Sequence, residues 1–597
     1  MKKQIRLGTV ALLTATVMSC AFAAPKDGTY TQRIMGHNAL FDVVVTIEGG
    51  KITKIETPNQ LESPGVGAVA IEKLAKTMID NQSVNVDAVT GATLTSFAMK
   101  AAVADALKAA GADEKAFSKP VKTPAAISGD MQSEVVIVGG GGTGLAAAVS
   151  ALQNGAKVVI IEKMGYLGGS TNVCGGAFNA SDTSFQHALK IEDNPQKHFE
   201  QTMKGGHNTN DPAMVHYLAD HAKETLQWLE DMGLKVNPKV GAATGALYQR
   251  SHYPDPAGGN TYIRVLESQL AKYPGKVTVL LETKATDLIE KDGRVVGVKV
   301  NSHGTTANVY ASKGVIMATG GFGANVEFRQ KVNTGIWKEA VLDNRIGCSN
   351  ISVAAQGEGL IMAEKVNADL IGLADIQVHP NGTPGTGLML DIKTSGRNRL
   401  FINTNGDRFV DEGAARDVLS KAIFAQPGQT YWLLQNHLRY PDENAIDLLS
   451  GRKMKDMLEQ KRVQKAQTLE EAAKMMNINY EHLKKAVDEY NQVASHKIDK
   501  DRFGFRANHT DDRPMTEGPW YFARKVPTIH HTMGGIHTNT NAEVIGKDGK
   551  VIPGLYAAGE VTGGVHGKNR LGGNSISETI TFGRIAGESA AARALGK

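Results

Sequence analysis

Apolar and polar positions along the chain change period several times, and those changes divide it. Over 29–57 they alternate in short runs around Gly49-Gly50, which predicts half-buried strands joined by a tight turn. Residues 93–110 are alanine-rich and stop at Gly111, which predicts a helix. Lysine, proline and serine then interrupt the period across 113–132, as in Ser118-Lys119-Pro120-Val121-Lys122-Thr123-Pro124, and predict a linker. The run Glu134 to Val138, apolar from Val135, reads as a buried strand. Asp211-Pro212 is a capped helix start, followed by Val215, Leu218, Ala222, Leu226 and Leu229 on one face before Gly233. Asp292-Gly293 and Asp548-Gly549 sit between strand-like segments and predict hairpins. From 375 to 529 the texture is different, polar, and helical over 469–490. No internal repeat is present.

The first residues follow another grammar. Lys2, Lys3 and Arg6 precede an apolar run at 10–17 and a small-residue exit at Ala21-Phe22-Ala23-Ala24, which predicts a secretory signal over 1–23 and a periplasmic protein. Val17-Met18-Ser19-Cys20 leaves a lipoprotein anchored at Cys20 as the minor alternative. With 597 residues the chain needs several domains. Its 65 glycines suit backbone turns around phosphates, whereas a net charge of +5, with no dense basic stripe, argues against nucleic acid as a partner. Beyond the signal only Cys174 and Cys348 remain, and no Cys-x-x-Cys-His occurs, so no c-type haem is expected and electrons must arrive from another protein. No metal site is expected.

The most specific local signal is Val135-Val136-Ile137-Val138 leading into Gly139-Gly140-Gly141-Gly142-Thr143-Gly144 and an alanine-rich helix. Val158-Val159-Ile160-Ile161-Glu162 answers it downstream. Glycines let a pyrophosphate approach backbone N–H groups at a helix N-terminus, and the acid closing the second strand suits a ribose hydroxyl.

Later segments supply Gly168-Gly169-Ser170-Thr171, Ala318-Thr319-Gly320-Gly321-Phe322, Val378-His379-Pro380, Arg416-Asp417 and His530-His531-Thr532-Met533-Gly534-Gly535. They continue with Gly554-Leu555-Tyr556-Ala557-Ala558-Gly559-Glu560 and Gly563-Gly564-Val565-His566-Gly567-Lys568-Asn569-Arg570-Leu571-Gly572-Gly573-Asn574-Ser575. In this order they resemble the fumarate reductase and succinate dehydrogenase flavoprotein family from residue 134 onward. The resemblance implies non-covalent FAD held by Gly139, Gly141, Gly142, Gly144, Glu162, Gly169, Ser170, Thr171, Gly320, Gly321, Glu560, Asn574, Ser575 and Ile576. It implies reduction of an activated C=C bond, with His530 and Arg570 on the substrate carboxylate, Arg416 as proton donor, and His379 at the substrate's other end. Arg250 and His252 are weaker candidates for drawing in an anion, and direct roles for His531 and His566 stay open.

The chain departs from that family in one loop. Counting back from Arg416 without gaps, the family's Thr-Glu pair falls on Asp391-Ile392 and its relay arginine on Ser395. Asp391 or Glu412 is then the candidate proton relay. An aspartate where a hydroxyl holds a second carboxylate would repel a dianion. That favours a urocanate-like substituted acrylate, with fumarate as the alternative.

Asp87-Ala88-Val89-Thr90-Gly91-Ala92-Thr93 resembles the motif through which a flavin transferase joins FMN to a threonine, here Thr93. The expected architecture is α/β. A small α+β FMN-binding domain (24–112) and a linker (113–132) precede a Rossmann-like FAD-binding domain (133–374 and 530–597) that carries an inserted α+β capping domain (375–529). Its partners would be a small unsaturated carboxylate and an external electron donor such as a membrane-anchored cytochrome or quinol-linked protein. A non-catalytic flavin shuttle is the rival of another class.

Overall fold

The computed structural model describes residues 24–242, 248–447, 452–507 and 511–592; the predicted signal segment 1–23, with Cys20, lies outside them. Among the described residues no helix is long and apolar enough to cross a membrane.

The N-terminal unit is an antiparallel meander, Gly28–Met35, Leu40–Glu48 and Lys51–Glu56, with helices Gly67–Asn81 and Thr93–Ala109. Alternation in the middle strand buries Phe41, Val43, Val45 and Ile47 on one face, where they meet Leu74, Met78, Met99 and Val103 from the helices. Gly49 and Gly50 both take positive φ, 58° and 71°, as a two-residue hairpin turn demands. The carboxylate of Asp27 accepts both of their N–H groups.

Residues 113–132 differ from the predicted spacer. Phe117 belongs to the N-terminal core and Ile127 to the core of the next unit. Between them Val121 N–H donates to Asn85 O, and Thr123 N–H to the Asp87 carboxylate. Two buried apolar anchors therefore fix a segment whose composition alone looks free. The units also touch directly: Thr90 donates to Glu282 through N–H and hydroxyl, and Tyr166 OH donates to Gly91 O at 3.2 Å.

The second unit is built on parallel strands. Met131–Val138 pairs with Val158–Ile161 on one side and Thr305–Met317 on the other; Val277–Leu280 and Val551–Ala557 extend the sheet outward. Helix Gly142–Gln153 is nearly all buried, and the late helix Asn574–Ala592 lies on it. A Cβ at Gly583 or Gly587 would sit 2.6 Å from Thr143 O or 2.2 Å from Ala147 O, so glycine sets how closely these helices cross. That crossing returns 570–574 to the mouth of the first strand–helix turn.

The third unit hangs on one long strand, Trp520–Thr532. One end pairs with Tyr431–Asn436 and Gln464–Ala466, and the other with Ile376–Gly382. Helices Leu469–Met476 and Tyr480–Ala494 fill the region expected to be helical, and helix Arg416–Phe424 packs beneath Ile376–Gly382.

Candidate active site

A cleft opens at the carboxyl ends of the parallel strands. Gly139, Gly141, Gly142, Glu162, Gly169, Ser170, Thr171, Gly320, Gly321 and Glu560 line it. Gly144 works one layer back: a Cβ there would lie 1.9 Å from Gly139 O, so only glycine closes the turn. Helix Gly142–Gln153 starts without a side-chain cap, leaving its first N–H groups for an anion. Glu162 accepts N–H from Gly140 and Met164, both at 2.7 Å, and burial raises its pKa. These donors and small residues fit a flavin dinucleotide.

Besides Gly144, three of the expected FAD residues do not line the cleft. Asn574 instead holds the helix start, meeting Asn179, His198 and Thr202 at 2.7, 3.0 and 2.9 Å. Ser575 and Ile576 follow it, and Thr579, one turn on, is the helix residue that reaches the cleft. Thr143 and Thr319, from within the quoted motifs, also line it, as do Lys163, Lys284 and Glu358, which carried no sequence signal.

Next to the cleft, three segments converge. Arg416 is the first residue of its helix, Arg570 precedes the last helix, and both donate to Gln377 Oε1 at 3.0 Å. Gln377 Nε2 in turn donates to Arg570 O at 2.8 Å and Asn569 Oδ1 at 3.2 Å. A neutral amide thus holds two guanidinium groups side by side, and the Nε of each is buried without a partner. Burial first, then Arg570, lowers Arg416 to about 9; burial lowers Arg570 to about 10. A cation at a helix N-terminus is also opposed by the helix dipole. An incoming carboxylate would relieve all three penalties.

His530 sits at a bulge. Gln377 pairs with His531 but Val378 pairs with Ile529, so His530 is the extra residue on the long strand and is turned out of the ladder. Its Nδ1 meets Ser349 Oγ at 2.8 Å, and its ring lies 5.0 Å from that of His379. Asn381 N–H donates to His379 Nδ1, so His379 carries its proton on Nε2. Burial and the neighbouring arginines hold both imidazoles well below the usual histidine range, hence neutral.

The proposed relay residues are placed differently from the sequence reading. Glu412 receives a bidentate bond from Arg408, at 3.0 and 2.7 Å, and accepts Phe401 N–H. Asp391 is not an open carboxylate: buried Lys525 Nζ donates to one oxygen and Thr383 Oγ1 to the other. Ile392, in the acid's place, is fully buried in the cap core. Arg250 pairs with buried Asp193 and His252 bonds Thr183 and Arg250 O, which makes both part of the framework. His566 bonds Glu578 at 2.8 Å, and His531 lies 3.7 Å from Glu560, whose carboxyl burial raises to about 7.

Thr93 is exposed at the start of its helix, whose N-cap is Ala92 without a side-chain bond. Leu94 and Phe97 beside it are 62% and 57% exposed, an apolar surface fit for a flavin ring next to uncapped N–H groups fit for its phosphate.

The family described as FAD binding domain matches residues 134–576, and the FMN-binding domain matches 36–108. Urocanate reductase of Eggerthella lenta is 36% identical over 95% of this chain and 92% of its own length. NADH:acrylate oxidoreductase of Vibrio harveyi is 34% identical over 94% of this chain, which spans only 61% of that relative. The open conformation of a flavocytochrome c3 fumarate reductase superposes with a TM-score of 0.65 at 34% identity, covering 78% of this chain and 79% of that one. The chain belongs to this FAD-binding flavoprotein family, and it joins an FMN-binding domain to the FAD module.

Proposed function

We propose that the protein reduces the C=C bond of an α,β-unsaturated carboxylate. The observation that carries this is the pair of guanidinium groups joined on Gln377, with neutral His530 and His379 beside them. An electron shuttle has no use for such an arrangement. Relatives named for acrylate and urocanate and a neighbour named for fumarate support the same reaction class.

When bound, FAD supplies hydride and FMN supplies electrons to it. Arg570 and His530 hold the substrate carboxylate, drawing electron density from the double bond and stabilising the charge that develops on the α side. Arg416 hands its proton to the α carbon. Ordinary arginine is too weak an acid for this, but a value near 9 brings the guanidinium within reach of general-acid work. Among enoates, the case for a cationic substituent at Asp391 loses its basis, because Lys525 already occupies that carboxylate.

FMN is joined to Thr93, and the direct contact of its domain with Glu282 and Tyr166 carries electrons inward from a donor such as a membrane-anchored cytochrome or quinol-linked protein. The 1–23 segment directs export to the periplasm, where the enzyme acts as a terminal reductase. The test is reoxidation of reduced methyl viologen by FMN-loaded protein offered acrylate, fumarate, urocanate, methacrylate or cinnamate. Turnover of at least one supports the reading, and none would leave the shuttle. Mass spectrometry of a Thr93→Ala variant should show FMN lost from the chain.

A further inference from the structure

The N-terminal unit is attached to its two neighbours by different means. Toward the FAD-binding unit the contact is apolar: Met164 and Tyr166 are buried in the same core as Phe41, Val43, Leu74 and Met99. Parting these two units would expose that surface, so they move as one body. The outer cap is another matter. Its two apolar clusters draw all their members from 392–523, and among the described residues they take none from either neighbour. Its base does the opposite, since Ile376 and Val378 belong to a core of the FAD-binding unit. The cap is thus hinged at its base.

What ties the outer cap to the N-terminal unit is Arg462. Its backbone N–H is fixed on Met457 O, just past helix Met454–Glu459. Its Nη2 crosses to the turn closed by Gly36 N–H on Ala39 O, and donates to Asn38 O at 2.8 Å and His37 O at 3.4 Å. The turn is braced to present these carbonyls. Asn38 is buried, with Nδ2 donating to Leu61 O and Ser63 Oγ and its N–H to Glu62 Oε1. Glu62 is buried in turn and accepts from Thr95 Oγ1 with its other oxygen. It fits so closely that a Cβ at Gly36 or Gly67 would lie 2.6 or 2.5 Å from its carboxylate. A run of hydrogen bonds therefore leads from the first turn of the Thr93 helix, through Glu62 and Asn38, to a guanidinium of the cap. Arg33 and Glu459, 3.2 Å apart, add a second tie, but both are exposed and such pairs are weak. Arg416 and Arg570 share Gln377 in this same arrangement, so the site is assembled while Arg462 is engaged.

We propose that the FMN-binding unit has a second role besides carrying electrons: through the contact of Arg462 with His37 and Asn38 it clasps the capping unit over the flavin cleft, and release of that contact opens the site. The FMN-binding unit is fixed to the FAD-binding unit, so a cap docked on it cannot swing out about its base. Undocking lets substrate enter and product leave.

The experiment measures the distance between the two units by pulsed EPR in the full-length, FAD-bound protein. Spin labels go on Lys54→Cys in the N-terminal unit and Lys484→Cys in the outer cap, both exposed positions, and the chain without these substitutions gives the background. FAD absorbance of each preparation reports folding. With Arg462 in place one short distance should dominate. Arg462→Met keeps the apolar stem and removes the donors, and the ratio of long to short distances should rise about 10- to 100-fold, the weight of hydrogen bonds from a charged group. Arg462→Lys, which retains a charged donor, should reverse part of that rise, and Arg33→Gln should leave the distribution as it is. If Arg462→Met does not retain FAD, Arg462→Gln, whose amide is too short to cross the gap, gives the same comparison. An unchanged distribution, or one broadened equally by Arg33→Gln, would overturn the assignment of Arg462. No substrate enters the measurement, so its failure and that of the reductase reading are distinguishable.

Discussion

Two arginines eight residues apart, Arg408 buried and Arg416 half-buried with its Nε enclosed, are treated in opposite ways. Arg408, in the capping unit, gives Glu412 two bonds and Asp501 a third at 2.7 Å, under the rings of Tyr490, Phe503 and Phe505. Burial pulls its pKa down, but the two carboxylates more than offset this and hold it above the ordinary range. Among the described residues Arg416 bonds no acid, only the amide oxygen of Gln377 that it shares with Arg570. The chain can satisfy a buried guanidinium fully, and holding Arg416 and Arg570 on one shared amide suits their proposed role of meeting a ligand's carboxylate. Arg408 holds the cap together, and Arg416 is held ready.

The comparison breaks most visibly at Arg416. Arg416→Met should cut turnover about 100- to 10,000-fold, the usual weight of a general acid, without lowering the melting temperature, since it removes an unpaired buried cation. Steady-state kinetics and thermal unfolding of one preparation check both halves. Arg408→Met should do the reverse, costing about 3–5 kcal/mol of stability by stranding Glu412 and Asp501, as a shifted denaturation midpoint would show. Gln377→Leu is intermediate: the guanidinium groups lose their shared acceptor, and KM for the enoate should rise about 10-fold with FAD retained.

The smallest effect is a pH dependence of opposite sign for activity and stability. With Arg416 as the proposed acid, turnover should fall as pH rises above about 9. Arg416 is lowered in the folded state, so between about 9 and the ordinary arginine range the unfolded chain holds a proton that the folded chain has released. Its destabilising contribution is complete below about 9 and diminishes as pH rises past it. A pH–rate profile alongside denaturant midpoints would show the two trends diverging, and parallel trends would count against the depressed guanidinium.

Legibility in the sequence followed how local each signal was. The turn at Gly139–Gly144 and Glu162 are written in contiguous residues, because strand, turn and helix are neighbours in the chain. The Thr93 helix and the Asp292-Gly293 hairpin were readable for the same reason. Gln377 was not, since a neutral side chain whose partners are 39 and 193 residues away leaves no local trace. Lys525 follows Arg524, and strand alternation sends the two to opposite faces without saying which face is covered; the packing of the sheet, which no local signal records, puts Lys525 inside. The bulge at His530 likewise depends on a partner strand about 150 residues earlier. Asp391 was read as a bare charge because its neutralising lysine is 134 residues away.

The most direct test of the central claim, that paired guanidinium groups bind an enoate carboxylate for reduction, is viologen-dependent turnover of acrylate against acrylamide by the wild-type protein. The account predicts that the acid is reduced about 100-fold or more faster, because the amide offers the clamp no charge. Equal rates for the two would contradict it.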